Sequence, residues 1–169
     1  TTLESNGQPK TKCKPCDLHF PSVAIRLKWN ELPIIDWLDI DSHSQEYSFL
    51  KELGVKEVPE LHKLIARIDF EHQAGSKQKV DYKLPNSLVF FAEKFQVHYS
   101  KLWKNAKIKT PFLPSSAPDM NHSTEVILTT PETAFKELSP LFPSLLPDVI
   151  RCFSQYFNMD LLGVKNHPT

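Results

Sequence analysis

Three potential metal ligands stand close together near the start of the chain, in the spacing Cys13-x-x-Cys16-x-x-His19. Thiolates and imidazoles bind structural zinc, but such sites usually take four ligands, arranged as two spaced pairs. Downstream of His19 the sequence offers only Cys152 and scattered histidines. We therefore expect Cys13, Cys16 and His19 to lie in a solvated linker without a metal. A zinc-supported domain is the alternative.

A lysine-rich stretch offers a different chemistry. Lys101, Lys104, Lys107 and Lys109 surround Trp103, and cations beside an aromatic ring suit phosphate contacts and base stacking. The same lysines also suit the solvated end of a helix, where positive charge complements the helix dipole. These four lysines are the candidate residues for nucleic-acid binding, which is the alternative to our lead prediction.

Catalytic motifs are missing from the sequence. The chain has four glycines against 14 prolines, and phosphate-binding loops need the positive φ and close backbone approach that glycine supplies. Neither Gly-x-Ser-x-Gly nor His-Glu-x-x-His occurs, and the histidines lack a neighbouring nucleophile at motif spacing. Paired carboxylates such as Asp39 and Asp41 fit a turn. We predict no enzymatic activity and no cofactor.

The composition of the chain indicates which classes of partner and which cellular compartment to expect. Lys and Arg number 20 and balance 20 Asp and Glu, whereas binders of nucleic acid or membrane surfaces usually carry a basic excess. No run reaches the ~18 apolar residues that cross a bilayer, and three cysteines fit a reducing compartment. We expect no membrane association and an intracellular location, nuclear or cytoplasmic. The polar start without an initiator Met predicts a piece of a larger protein.

One seven-residue motif occurs twice. Leu53-Gly54-Val55-Lys56-Glu57-Val58-Pro59 recurs as Leu162-Gly163-Val164-Lys165-Asn166-His167-Pro168. We predict that each glycine ends a helix with a left-handed cap of the Schellman type. Val55 should then meet Leu50, and Val164 should meet Met159. Because Pro59 suits the first turn of a following helix, the motif indicates a repeated helix-turn-helix module, with coincidence as the alternative.

Hydrophobic periodicity predicts the other elements. A period of two over 23–29 predicts a strand, and helices are expected over 44–53, 59–70 and 86–104. The longest helix presents one apolar side, formed by Leu88, Phe91, Phe95, Tyr99 and Leu102. These helices should supply the core.

Short extended segments follow the longest helix. Strands are expected over 107–113 and 125–129, with a loop over 115–123 between them, and a short helix over 130–138. A last helix should carry Ile150, Phe153, Phe157 and Leu161. Three helices followed by two strands is the order of a winged helix, in which the loop would be the wing. This is a likeness of topology and implies no function.

These elements predict an α+β, mainly helical fold with a winged-helix-like helical core. We expect a polar linker over 1–22, a helix-rich winged-helix-like module over 23–140, and a C-terminal helix with a truncated second helix-turn motif over 141–169.

Four aromatic residues are candidates for partner binding: Phe90, Phe91, Trp37 and Trp103. Neighbours on a helix point about 100° apart, so Phe90 and Phe91 cannot both face a single core. One of them should pack under a strand or contact a partner. Grooves that take a peptide from another protein commonly use such a surface.

Five short segments follow one another in a recognisable order. They are Phe49-Leu50-x-x-Leu53-Gly54-Val55, Val58-Pro59, Phe90 to Tyr99, Phe112-Leu113-Pro114 and Leu162 to Pro168. In this order the chain, over about residues 25 to 169, resembles a region of large fungal proteins with an N-terminal GHKL-type ATPase domain related to those of sacsin and plant NO VEIN. The ATPase motifs are absent here, so ATP hydrolysis is not implied.

The resemblance implies a downstream interaction or scaffolding segment, and an adaptor role in nuclear gene silencing by analogy with fungal proteins of similar architecture. Our lead prediction is a non-enzymatic protein-interaction module whose partner is another protein of an intracellular complex.

Overall fold

A computed structural model describes residues 12–37, 39–117, 124–136 and 146–166. The chain forms two compact units, Thr1–Pro59 and Glu60–Thr169. The α+β, mainly helical class predicted from the sequence is confirmed. The division lies at Pro59 and does not coincide with the boundaries expected after residues 22 and 140. Within the described ranges, no helix is both long and apolar enough to pass through a bilayer.

Unit 1 contains a helix where the sequence predicted a strand. Helix α1 spans Pro21–Leu27, so the strand expected over 23–29 is wrong. A proline at the first helical position is already set to the required φ. Val23 and Leu27, four residues apart, are both buried, whereas Ile25 is 71% exposed. The buried residues therefore follow helical spacing, and the alternation of apolar residues over 23–29 does not correspond to a strand.

Three short segments of unit 1 pair side by side. Residues 18–20 lie in the middle, with 33–35 on one side and 55–56 on the other, and both pairings are parallel. The backbone hydrogen bonds are His19 N–H to Pro33 O (2.8 Å), Ile35 N–H to His19 O (3.1 Å), Lys56 N–H to Leu18 O (2.9 Å) and Phe20 N–H to Lys56 O (3.1 Å). We call this three-segment arrangement motif 1.

Helix α2, Gln45–Glu52, is held to unit 1 by Tyr47. The helix begins at Ser44, whose Oγ accepts the Tyr47 amide at 3.1 Å. The Tyr47 ring stacks on Phe20 with centroids 4.0 Å apart, and its hydroxyl donates to Glu57 at 3.1 Å. Burial, followed by the Glu57 carboxylate, raises the pKa of Tyr47 to about 12. The phenol therefore stays protonated and keeps donating at neutral pH.

Unit 2 is built on two packed helical stretches. Helix α3 spans Leu61–Ala74, and its N-cap is Glu60, so the helix predicted from residue 59 begins two residues later and Pro59 lies buried before it. Helix α4, Asn86–Lys94, packs against α3. It continues through a π-helical segment, Phe95–Tyr99, into helix α5, Ser100–Asn105, so the long helix predicted over 86–104 is confirmed.

A carboxylate from α3 caps the start of α4. Ser87 donates to Glu71 through both its amide (2.9 Å to Oε2) and its hydroxyl (2.7 Å to Oε1). Arg67 Nε lies 3.4 Å from the same carboxylate. The N-cap residue Pro85 has no side-chain oxygen, so Glu71 supplies the acceptor and the negative charge that favour a helix N-terminus.

Three strands form an antiparallel sheet in unit 2, in the order β2-β1-β3. They span Leu113–Ser116 (β1), Val126–Thr129 (β2) and Asp148–Val149 (β3). The strand predicted over 125–129 is confirmed as β2. The loop expected over 115–123 begins two residues later than predicted, since residues 115 and 116 belong to β1, and residues 118–123 lie outside the described ranges.

The strand predicted over 107–113 is wrong, because β1 begins where that strand was expected to end. Pro114 lies inside β1, opposite Leu128 at a pair that needs no hydrogen bond between the strands. Its carbonyl points to the other side and accepts Ile150 N–H at 3.0 Å. The proline therefore costs β1 a single donor, and the strand tolerates it beside the short strand β3.

The segments beyond β2 are less helical than predicted. Over the described part of 130–138, residues 131–133 form a turn, and Phe135 pairs with Asp148 and Lys165 in parallel bridges. The last helix is short, with α6 at Arg151–Ser154 followed by a 3₁₀-helix at Met159–Leu162. Tertiary pairing of Phe135 replaces the expected local helix.

The helices of the expected winged-helix-like core are divided between the units. Helix α2 belongs to unit 1, whereas α3, α4, α5 and the sheet belong to unit 2.

Both predicted glycine caps are present. Gly54 and Gly163 have φ values of 100° and 81°. The cap hydrogen bonds are Gly54 N–H to Lys51 O (3.0 Å), Val55 N–H to Leu50 O (3.0 Å), Gly163 N–H to Asp160 O (3.1 Å) and Val164 N–H to Met159 O (3.3 Å). This pattern is that of a Schellman motif in each copy.

The repeat extends beyond the glycine. Residues 134–136 pair with 147–149 on one side and with 164–165 on the other. The hydrogen bonds are Phe135 N–H to Pro147 O (3.2 Å), Val149 N–H to Phe135 O (3.0 Å) and Lys136 N–H to Lys165 O (3.0 Å). Each has its counterpart in motif 1, and we call this arrangement motif 2. The chain therefore contains one structural motif twice, once in each unit.

We expect the two glycines to differ in their response to alanine. Gly163→Ala should cost about 1–2 kcal/mol, because positive φ is strained for an L-residue while a Cβ would meet no described atom within 4 Å. Gly54→Ala should cost more, since its Cβ would also lie 3.3 Å from Cys16 Cβ. Urea unfolding of each variant measures both free energies.

Gly75→Ala is the matched control for this pair. Gly75 ends α3 with a φ of −93°, which any residue adopts. The unfolding free energy of the Gly75→Ala variant should stay within about 0.5 kcal/mol of that of the unmodified chain. Equal losses in all three variants would contradict the role given to the caps.

Candidate protein-interaction site

The predicted partner-binding aromatic residues divide into buried and exposed ones. Phe90 and Phe91 are 2% and 0% exposed, so both lie in the interior of unit 2 and neither can contact a partner as predicted. Helix α4 is covered over a wide arc that buries both of its neighbouring phenylalanines. Trp103 is half-buried against Phe91, with ring centroids 5.8 Å apart. Trp37, in unit 1, is 48% exposed and is the one of the four that a partner can reach freely.

The four candidate lysines are all exposed. Lys101 and Lys104 lie on α5, and Lys107 and Lys109 lie on the extended segment that follows it. The sequence from Lys94 to Ala117 contains no Asp or Glu. Positive charge along this stretch is therefore not offset by carboxylates of the same segment.

The three potential metal ligands do not form a described metal site. Cys13 and Cys16 are exposed, and Cys16 belongs to the 3₁₀-helix Pro15–Asp17. His19 is buried in the middle of motif 1, where Nδ1 lies 3.1 Å from Pro33 O. In the parts of the chain that the structure describes, no three His, Cys, Asp or Glu side chains are placed to hold a metal ion together.

A groove in unit 2 runs between helix α3 and strand β2 and encloses about 330 Å³. We call it the α3–β2 groove. Its lining residues are Asp69, His72 and Gln73 from α3, Val126, Ile127 and Leu128 from β2, and Lys77, Pro111 and Glu125 nearby. Apolar strand residues thus face polar helix residues across the space.

One half of the outer edge of β2 is already paired. Val126 N–H donates to Lys77 O at 2.7 Å, and Lys79 N–H donates to Thr124 O at 2.8 Å. Gln78 and Glu125 form the antiparallel bridge between these segments. Residues 77–79 therefore cover the start of β2.

The other half of this edge is open at Leu128. Antiparallel pairing alternates, and Leu128 lies opposite Pro114 at a pair without hydrogen bonds, so its backbone N–H and C=O point away from β1. No described residue hydrogen-bonds to either group. An unpaired N–H and C=O on a sheet edge are a template for another strand.

The helix side of the groove holds an uncharged imidazole. His72 is buried, and its Nδ1 lies 3.1 Å from the Tyr82 hydroxyl. Burial, assisted by the Lys77 ammonium and opposed by Asp69, lowers the pKa of His72 below its ordinary value. Burial also raises the pKa of Tyr82. Both side chains are therefore neutral at pH 7, and this hydrogen-bonded pair adds no charge to the helix side of the groove.

The charged groups of the groove carry a net negative charge. Asp69 and Glu125 contribute two carboxylates, and Lys77 contributes one ammonium, which donates to Gln73 Oε1 at 2.9 Å. The arrangement can accept an extended backbone along β2 and a basic side chain beside the carboxylates. Sequence reasoning missed this site because it depends on the pairing of residues 77–79 with β2, which no local pattern signals.

Exposed apolar side chains also line one helix of unit 1. Phe49 and Leu53, four residues apart at α2 and its C-cap, are 58% and 47% exposed, and α2 buries none of its residues. Unit 1 therefore presents an apolar helix face in addition to Trp37.

Comparison with known proteins identifies the family. A family model described as "Protein of unknown function (DUF3684)" matches residues 1–169. The chain belongs to this family. No curated protein and no solved structure matches it. The family description names no activity, ligand or partner.

We expect His72 to make unit 2 less stable in acid. Unfolded His72 takes up a proton near its ordinary pKa of 6.5, whereas the folded side chain does so only at lower pH. Below about pH 6.5 the unfolded state binds more protons, so the unfolding free energy falls as the pH is lowered. Urea unfolding at pH 7.5 and 5.5 should show a smaller loss for His72→Asn than for the unmodified chain.

His62→Asn is the control, since the His62 side chain is 73% exposed on the same helix. This variant keeps His72 and should therefore still lose stability between the two pH values. Identical losses in all three proteins would contradict a depressed pKa at His72.

Proposed function

We propose that this family member is a non-enzymatic protein-interaction module within a larger adaptor protein. The single observation that supports the proposal is the half-open edge of β2 in the α3–β2 groove. An extended segment of a partner would continue along β2 beyond residues 77–79 and pair with the backbone of Leu128. This mode of recognition gains affinity from main-chain hydrogen bonds and specificity from alternate side chains.

The groove suits one class of segment. Ile127 and Leu128 offer partly exposed apolar surface, and the net negative charge of the rim favours a basic residue. An apolar segment with a Lys or Arg beside Asp69 and Glu125 is therefore the expected ligand. The neutral His72–Tyr82 pair leaves this preference unchanged at pH 7.

The resemblance to fungal proteins with a GHKL-type ATPase domain fits this proposal. A downstream region without ATPase motifs would recruit a partner to the assembly. An intracellular setting, nuclear and connected with gene silencing, is part of the same proposal and rests on that resemblance.

A pull-down followed by affinity measurement tests the groove. Asp69→Lys reverses the charge of the rim, so a partner captured by the unmodified chain should bind about tenfold more weakly, equivalent to about 1.4 kcal/mol. Upon binding, the amide of Leu128 should become protected from hydrogen exchange.

Glu132→Lys is the matched control, because Glu132 is an exposed carboxylate of unit 2 that does not line the groove. It should leave the affinity unchanged. Equal loss in both charge reversals, or an unprotected Leu128 amide in the complex, would count against this site.

A second candidate function is nucleic-acid binding through Lys101, Lys104, Lys107 and Lys109. The observation that favours it is their common exposure on a stretch without carboxylates. Four lysine–phosphate contacts would give a slope of about −3.6 in log K against log salt on duplex DNA, at about −0.9 for each contact.

Fluorescence anisotropy with a labelled DNA duplex at about 50 to 200 mM salt measures that slope. Changing the four lysines to alanine should abolish the salt-dependent binding. The control changes four exposed lysines of unit 1 to alanine, namely Lys12, Lys14, Lys28 and Lys51. Absence of binding at low salt, or equal loss in the control, would exclude this function.

A further inference from the structure

The repeated motif has one edge that differs between its copies. In motif 2 the outer segment is 147–149, and in motif 1 it is 33–35. Both outer segments begin with proline, and both use the carbonyl of that proline and the amide two residues later to pair with the middle segment. The residue between them, Asp148 in motif 2 and Ile34 in motif 1, therefore points its backbone groups outward.

The outward edge of motif 2 is covered by a strand. Strand β1 pairs antiparallel with it, with Ser116 opposite Asp148 and Ser115 opposite Val149. Ile150 N–H continues the pairing by donating to Pro114 O at 3.0 Å. The chain itself thus shows what this edge of the motif accepts, which is an antiparallel extended strand.

The outward edge of motif 1 has no such strand among the described residues. Within the described ranges Ile34 pairs with His19 alone, and it is 37% exposed. Beside it lies a groove of about 370 Å³, lined by Pro21, Ala24, Ile25, Lys28, Asn30 and Ile34. Ile25, on this groove, is 71% exposed.

We propose that the Ile34 edge of motif 1 binds an extended segment of a partner protein, which pairs antiparallel with residues 33–35 as β1 does with residues 147–149. The site is separate from the α3–β2 groove and does not depend on it. Pairing would satisfy the N–H and C=O of Ile34, and alternate side chains of the segment would enter the groove over Ala24 and Ile25.

The lining of this groove sets the chemistry of the segment. Its side chains are apolar apart from Asn30 and Lys28, and Lys28 is the charged residue among them. An apolar residue should therefore occupy the groove, and a neutral or acidic neighbour should be preferred to a basic one. This charge preference is opposite to that of the α3–β2 groove.

A phage library of random linear peptides, selected on the full chain, provides the probe. The strongest selected peptide is then synthesised with single N-methyl groups along its backbone. Pairing with the Ile34 edge predicts that N-methylation weakens binding at least about tenfold at the peptide residue opposite Ile34 and has little effect at its two neighbours, because only alternate amides face the edge.

Hydrogen exchange and two substitutions locate the peptide. The Ile34 amide should become protected in the complex, whereas the Asp148 amide, already paired with β1, should not change. Ile25→Lys should weaken binding, since Ile25 is exposed and its change leaves the core intact. Phe49→Lys, at another exposed apolar residue of unit 1 that lies outside the groove, should not.

Several outcomes would overturn the proposal. One is a selection that yields no binding peptide. Another is a peptide whose binding is weakened equally by N-methyl groups at neighbouring residues. A third is a peptide that still binds the Ile25→Lys variant and does not protect the Ile34 amide from exchange. Concentration-dependent dimerisation that protects Ile34 without peptide would assign the edge to a second copy of this chain, and would likewise exclude a partner segment.

Discussion

The packing of Phe91 is the interaction on which unit 2 depends. Its ring is fully buried and lies within 5.3–6.4 Å, centroid to centroid, of five other aromatic rings. These rings belong to Phe95, Tyr99, Trp103, Phe112 and Phe157. They come from the π segment, α5, the approach to β1 and the segment after α6. One side chain therefore ties the long helix to the sheet and to the C-terminal part of the unit, and removing it would open a cavity at their junction.

The π segment is part of the same packing. It takes more residues for each turn than an α-helix does, so the inward-facing position moves along the sequence. Tyr99 is buried, and the next residue to face the cluster is Trp103, while Leu102 is 56% exposed. Regular α-helical spacing had predicted that Leu102 lies on the apolar side of the helix. The irregular turn thus exchanges a leucine contact for an aromatic one.

Each unit also carries a small parallel arrangement closed by a glycine cap. The cap reverses the chain so that Lys56 or Lys165 lies beside the middle segment, and the second residue of each outer segment points its backbone groups outward. Local chemistry is the same in both copies, yet their edges differ. β1 occupies the edge at Asp148, and the described residues leave the edge at Ile34 open. The two copies of the motif therefore differ in whether a strand of the chain covers the outer edge among the described residues.

Local patterns in the sequence were sufficient for the helices α2 to α5, strand β2 and both glycine caps. The spacing of apolar residues on a helix and the preference for glycine at a positive φ both depend on a few neighbouring residues, so the sequence displays them directly. Tertiary structure decided the rest, because burial is a property of neighbours distant in sequence. It made α1 a helix, placed Pro114 inside β1, buried Phe90 together with Phe91, and created the α3–β2 groove by pairing residues 77–79 with β2.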